Sequence, residues 1–212
     1  CLSRGLGDVY KRQGLKRVVS VSENFKMEEE SLVTANTILK NSLGTGYLEI
    51  FNRRTSLKER IRLLADAMEE ATGMQDMGAY LTTLFEIDAL FLNQDRHLNN
   101  IALIRDKFGY KPCPIFDCGD SFLLDFALYS PEIESRAYLT KAQCLPFKSR
   151  FTQTVHTAQA MYGKQLAVNI DKTSIDTILD KYLCYYPKQF RFLLKERIET
   201  VLMEQQKKLF EK

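Results

Sequence analysis

The chain has 212 residues, 45% hydrophobic and 27% charged, with 10 Gly, 5 Pro and no Trp. At roughly 100–200 residues per domain this is one domain or a little more, and it is long enough to bury a core. The composition excludes collagenous, disulfide-scaffold and disordered classes. Thirty basic against 27 acidic side chains leave only +3, which argues against direct nucleic-acid binding. No apolar run approaches the ~18–20 residues that cross a bilayer.

Ser3–Gln13 reads SRGLGDVYKRQ and resembles the in-frame translation of a sequencing adapter. Residues 1–13 are therefore set aside as non-native, and the natural sequence is expected to start upstream of Gly14. The segment holds Arg4, Lys11 and Arg12 against Asp8, so the remaining chain carries +1 and no basic patch. Arg17–Ser22 (RVVSVS) predicts a strand. A helix is expected over 31–40, then a turn at Gly44-Thr45-Gly46. That turn has no clear preceding strand and no following Lys, so it is read as a plain turn rather than a phosphate cradle.

Ser56 with Glu59 forms a capping-box signature ahead of a helix over Leu57–Ala71, which Gly73 stops. Gly78–Leu92 repeats with helical period, placing Leu81, Leu84, Phe85, Asp88 and Leu92 near one face. The period then changes. Ile101–Arg105 and Cys113–Asp117 are short apolar runs joined by DKFGYKP, which predicts a β-hairpin. Helices are expected again over 149–162, ended by Gly163, over 174–186, and over 187–209 with Pro187 in the first turn. The alternating charges from Lys195 to Lys212 read as a solvated face. The fold class expected is mainly α with a central β-hairpin. Cys113, Cys118, Cys144 and Cys184 fall at irregular intervals beside only two His, so no zinc set is present. Reduced thiols and a cytoplasmic location are expected.

Chemistry concentrates in 88–125, which contains DRHLNN and PIFDCGDS. Asp95 follows a helix in a polar loop, Asn100 is expected to open the first hairpin strand, and Asp117 to close the second. The start of one antiparallel strand faces the end of the other, so these oxygen donors can converge. Two acids and an amide suit a hard cation such as Mg²⁺ and are the minimum equipment for phosphoryl transfer.

Asp95-Arg96-His97-x-x-Asn100, followed 22 residues after Asp95 by Asp117-x-Gly119, resembles the catalytic core of HipA-like serine/threonine kinases. The same D-R-H-x-x-N string occurs in phosphoinositide kinases. The resemblance covers about 18–125 and is tight over 88–121. It implies a protein-kinase-like C-lobe that uses ATP and Mg²⁺, with Asp95 as the catalytic aspartate and Asn100 and Asp117 as metal ligands. Asp88 reads as an anchor for the catalytic loop, with Arg96 and His97 as its support. His97 is expected to pack and hydrogen-bond rather than act as an acid or base.

On that reading residues 14–56 are a remnant of the small lobe, hinge and connecting segment. Residues 57–212 are the helical catalytic lobe, with the metal-site hairpin over 100–118. The backbone of Ser20, Val21 and Ser22 would meet the adenine. No lysine stands in a V-A-x-K context, so most of the small lobe is expected to be missing and the chain inactive alone. The partners implied are ATP, a protein substrate and, as in toxin–antitoxin pairs of the family, a DNA-binding antitoxin. Two other readings stand beside it. One is a pseudokinase or toxin-type protein-binding module. The other is an enzyme with a phosphoinositide acceptor, disfavoured by the lack of a basic lipid-facing run.

Overall fold

The structure is a computed structural model that describes residues 9–12, 15–18, 24–53 and 56–211. Strands β1 (Val9–Arg12) and β2 (Leu15–Val18) pair antiparallel, with Val9 opposite Val18. The strand expected over 17–22 thus includes Arg17 and Val18. Its remaining residues, Ser20, Val21 and Ser22 among them, lie outside the described residues.

The helix expected over 31–40 begins later. Ser31–Thr34 is a strand, β3, and the helix α1 spans Ala35–Leu43. The Thr34 hydroxyl accepts from Thr37 N–H and caps α1, so the extended backbone that an N-cap requires is continuous with β3. After Gly44, left-handed at φ 78°, a short helix α2 (Tyr47–Arg53) follows, one that the pattern did not reveal. Helix α3 (Leu57–Thr72) opens on the Ser56–Glu59 capping box and closes on left-handed Gly73, as expected.

Helix α4 (Met77–Phe91) is the centre of the molecule. Its buried residues lie on every side and include Leu81, Thr82, Phe85, Glu86, Asp88 and Ala89. A helix apolar nearly all round belongs inside a core. Around it pack α3, α6 (Phe151–Tyr162) and α8 (Lys188–Leu209). Between α4 and α6 run a short helix α5 (Ser135–Tyr138) and the small ladder of β6 (Gln143–Cys144) with β7 (Ser149–Arg150). Helix α7 (Lys172–Leu183), N-capped by Asp171, packs on α8. The carboxylate of Glu86 accepts from Gln159 Nε2, Gln165 N and Leu166 N, tying α4 to the chain after α6.

The hairpin is shorter than expected and shifted. β4 (Ala102–Asp106) pairs with β5 (Gly109–Pro112), a second strand that lies inside the predicted loop. Asp106 causes the shift. Its carboxylate accepts from Phe108 N and Gly109 N, closing a two-residue turn that left-handed Gly109 completes. β3 adds to the other edge of β4, giving a three-stranded sheet ordered β3–β4–β5. Cys113–Asp117 leaves the ladder as an extended run. Tyr80 of α4 donates to Ala102 O at 2.8 Å and Cys113 O at 3.3 Å, which seats the sheet on the helical body.

The tail is not wholly a solvated face. Arg197, Gln205 and Gln206 on α8 are buried among its apolar residues. Among the described residues no helix is long and apolar enough to cross a membrane.

Candidate active site

A helix end leaves carbonyls that need donors, and the end of α4 is completed from several directions. Leu92, left-handed at φ 52°, and Asn93 both direct their N–H to Asp88 O. Phe122 N donates to Phe91 O, and Gln205 Nε2 of α8 donates to Ala89 O at 2.7 Å. The chain therefore leaves α4 at a defined angle and enters the loop that carries Asp95. Two carbonyls of that loop, Leu98 O and Ile101 O, accept from Asn36 N and Ala35 N at the start of α1.

Beneath the loop, Arg96 and Asp88 meet in a two-pronged ion pair. Nε lies 2.8 Å from Oδ2 and Nη2 2.9 Å from Oδ1, with neither side chain exposed. Asn93 Nδ2 adds a third bond to Asp88 at 2.8 Å. A guanidinium has five N–H groups, and Arg96 has five acceptors. The remaining three are Asn100 O at 2.8 Å, Phe116 O at 2.7 Å and Cys118 Sγ at 3.4 Å. One side chain thus ties the Asp95 loop to both neighbours of Asp117. Burial opposes the charge on Arg96, but hydrogen bonding and proximity to Asp88 outweigh it and hold the group above the ordinary guanidinium range. Burial pushes the Asp88 carboxyl up against the pull of Arg96 and Asn93.

Asn100 is buried and turns Nδ2 toward Asp95 O at 2.9 Å. Its Oδ1 is left as an acceptor. Asp117 is exposed and left-handed at φ 54°, a conformation that Asp tolerates better than most residues. Asp117 therefore lies in the irregular run after β5, next to the Phe116 carbonyl that Arg96 holds, rather than at the end of a hairpin strand.

Asp95 is half-exposed, with its nearest ionic neighbour, His97 Nε2, at 3.8 Å. That is too long for a hydrogen bond, and His97 Nδ1 is buried without a partner. The His97 side chain thus makes no hydrogen bond to the loop among the described residues. Its backbone does so instead, through His97 N to Asp95 O and Asn100 N to His97 O, both 2.8 Å.

The spacing also gave no role to Asp120, whose carbonyl accepts from Gln94 N at 3.0 Å. Burial first, then the negative charges of Asp95 and Asp125, push the Asp120 carboxyl above its usual range. The Phe25 ring stacks on Phe116 at 6.1 Å between centroids. This places a partly exposed apolar surface one residue from Asp117. Nothing in the periodicity of 23–56 pointed to that contact.

No cluster of three or more His, Cys, Asp or Glu able to hold a metal occurs among the described residues. Asn100 Oδ1 and the exposed Asp117 carboxylate are both hard oxygen donors. Two such ligands suit Mg²⁺, which keeps waters and shares phosphate oxygens rather than occupying an all-protein cage.

No family model matches the chain, and no curated protein matches it. Its fold is similar to that of the Helicobacter pylori proinflammatory kinase CtkA, known from a crystal structure, with a TM-score of 0.64 and 19% sequence identity. The similarity covers 98% of this chain and 75% of that one. The fold is kinase-like. In this kinase-like fold the Asp95 loop follows the end of α4, Asp95 and Asp117 are both solvent-accessible, and α8 reaches the end of α4 through Gln205.

Proposed function

We propose that the chain carries the catalytic lobe of a HipA-like serine/threonine kinase that transfers the γ-phosphoryl group of ATP to a protein hydroxyl. The observation that carries this reading is the buried Arg96. It binds Asp88, Asn100 O and Phe116 O together and so holds Asp95, Asn100 and Asp117 on one unit. The kinase-like fold supports it.

Asn100 and Asp117 would hold Mg²⁺ through their side-chain oxygens. When bound, Mg²⁺ neutralises charge on the phosphate oxygens. Asp95 orients the acceptor hydroxyl and takes its proton as the oxygen bonds to the γ-phosphorus. The bond to the bridging oxygen breaks, and ADP leaves with that electron pair. Positioning supplies much of the rate, because the reacting atoms must lie in line at ~3–3.5 Å. The apolar face of Phe25 on Phe116 gives the nucleotide base a place to lie beside Asp117. Residues 57–212 form the large lobe on this reading.

The test uses the longest natural reading frame that contains these residues. Labelled γ-phosphate should pass from ATP to protein with Mg²⁺ present and fall by ~10²-fold or more in Asp95→Asn. Asp117→Ala should abolish metal-dependent nucleotide binding. Transfer that survives both substitutions overturns the assignment. A protein that binds nucleotide without metal and transfers nothing is a binding module instead.

A further inference from the structure

Residues 113–134 contain no helix or ladder strand. They also include three left-handed non-glycine residues, Asp117, Phe122 and Leu123. Turns within the run pair some of its backbone groups, among them Tyr129 N with Asp125 O, and others need partners from elsewhere. Arg96 serves Phe116 O near its start. Farther along, Arg197 of α8 serves both Leu123 O and Ser130 O, the latter at 2.7 Å. The Arg197 guanidinium lies over Phe126 at 5.0 Å and Tyr138 at 5.9 Å.

Arg197 is fully buried, its Nε has no hydrogen-bond partner, and it forms no ion pair among the described residues. Burying a cation is costly unless hydrogen bonds and nearby groups compensate it; here two carbonyl oxygens and the faces of Phe126 and Tyr138 do so. Eight residues on, two turns along the same stripe, Gln205 is also buried and donates to Ala89 O at the end of α4. One stripe of α8 therefore reaches both arms of the candidate site from behind. Gln205 holds the helix that delivers Asp95, and Arg197 holds the run that follows Asp117.

We propose that Arg197 and Gln205 are positioning residues that set the Asp95 arm against the Asp117 arm for phosphoryl transfer. The inference rests on the function proposed above. Neighbouring Gln206 supplies an internal control. It is buried as well but holds Ile170 and Glu211, neither of which is in the candidate site: its Oε1 accepts from Ile170 N at 2.6 Å, and its Nε2 donates to Ile170 O and Glu211 Oε1, both at 3.2 Å.

The experiment compares Gln205→Leu, Arg197→Met, Arg197→Lys and Gln206→Leu in the same natural reading frame. It measures kcat, KM for ATP and amide hydrogen exchange. A misplacement of about 1 Å can cost ~10²-fold in rate. Gln205→Leu and Arg197→Met should therefore lower kcat by ~10-fold or more with KM for ATP within about twofold, and Arg197→Lys should recover part of the loss. The Phe122 amide and those of 93–100 should exchange faster in Gln205→Leu, and 121–130 faster in Arg197→Met. Gln206→Leu should lower the melting temperature and leave kcat unchanged.

Equal kcat in all four variants overturns the proposal. So does a loss in Gln206→Leu as large as in Gln205→Leu, because that would mark a general loss of fold. If the unsubstituted protein transfers no phosphate, the phosphoryl-transfer reading fails. Exchange then decides whether α8 holds the two arms, and unchanged protection at 93–100 and 121–130 overturns that as well.

Discussion

Asp88 and Arg96, eight residues apart, face each other across the turn at the end of α4 with two hydrogen bonds of 2.8 and 2.9 Å and no exposure on either side chain. The pair is a joint rather than an isolated contact. The acid belongs to the helix, the base to the loop, and the other N–H groups of the base reach the Asn100 and Asp117 arms.

Removing one partner leaves a buried charge uncompensated, which costs ~3–5 kcal/mol. Asp88→Ala should therefore destabilise the fold by about that amount in urea denaturation. Arg96→Lys keeps the charge but offers three donors in place of a planar five-donor fork. It should retain more stability than Asp88→Ala yet separate the two arms, with metal-dependent nucleotide binding weakened. A loss below ~1 kcal/mol for Asp88→Ala would mean that the pair is not the joint described.

Local signals in the sequence were read correctly where short-range physics decides the outcome. The Ser56–Glu59 box and Gly73 bound α3 because caps act within four residues. The spacing marked Asp95, Asn100 and Asp117 as one group, but it did not show the link through Arg96, which bonds Asn100 O and Phe116 O. Asp106 closed the hairpin early, and Arg96 rather than a strand brought the Asp117 run back. β3 was hidden because its partner β4 lies about 70 residues on, so four ambiguous residues before a helix read as helix. Gln205 and Arg197 sat in an alternating-charge stretch whose pattern cannot show which polar groups meet a distant carbonyl.

The Glu30–Lys111 ion pair joins the segment carrying Phe25 to β5. The Lys111 hydrogen bond and the Met27 N–H hold the Glu30 carboxyl below its usual range, and the Glu30 bond holds Lys111 above its own. The lowered acid contributes stability above the ordinary glutamate range and loses it as pH falls through its folded value. The raised base contributes below the ordinary lysine range and loses it as pH rises through its folded value. The stability difference between the unsubstituted protein and Glu30→Gln, followed by urea denaturation, should form a plateau across neutral pH that vanishes at both ends. A difference independent of pH would assign the effect to packing.

The four described thiols differ enough to be ranked by alkylation. Cys184 is exposed and should react first with iodoacetamide at mildly alkaline pH. Cys118 is half-buried, and burial raises its pKa more than the Arg96 guanidinium lowers it, so it should follow. Burial pushes Cys113 up to about 11 and Cys144 higher still. Cys144, 1% exposed, should be labelled last, on unfolding. Reaction follows the thiolate fraction and access, and mass spectrometry over time gives the order. Cys118 reacting ahead of Cys184 would show that the Arg96 cage opens in solution.

Gly78 of α4 lies directly against Tyr162 of α6. A Cβ at that position would sit 2.2 Å from Cδ1 and 2.6 Å from Cγ of Tyr162. The atoms met are the root of the ring, which cannot swing aside as a flexible chain end could. Alanine is the better helix former by ~1 kcal/mol, but overpacking costs ~1–3 kcal/mol, and at 2.2 Å the upper part of that range applies. Gly78→Ala should therefore lower stability by ~1–2 kcal/mol net. Tyr162→Ala should be destabilising alone, because it leaves a gap beside α4. The double variant should be more stable than the sum of the two losses, because the new methyl group fills part of that gap. A thermal-melt cycle over the three variants measures this coupling. Strict additivity would show that α6 moves away from α4 rather than meeting it at this glycine.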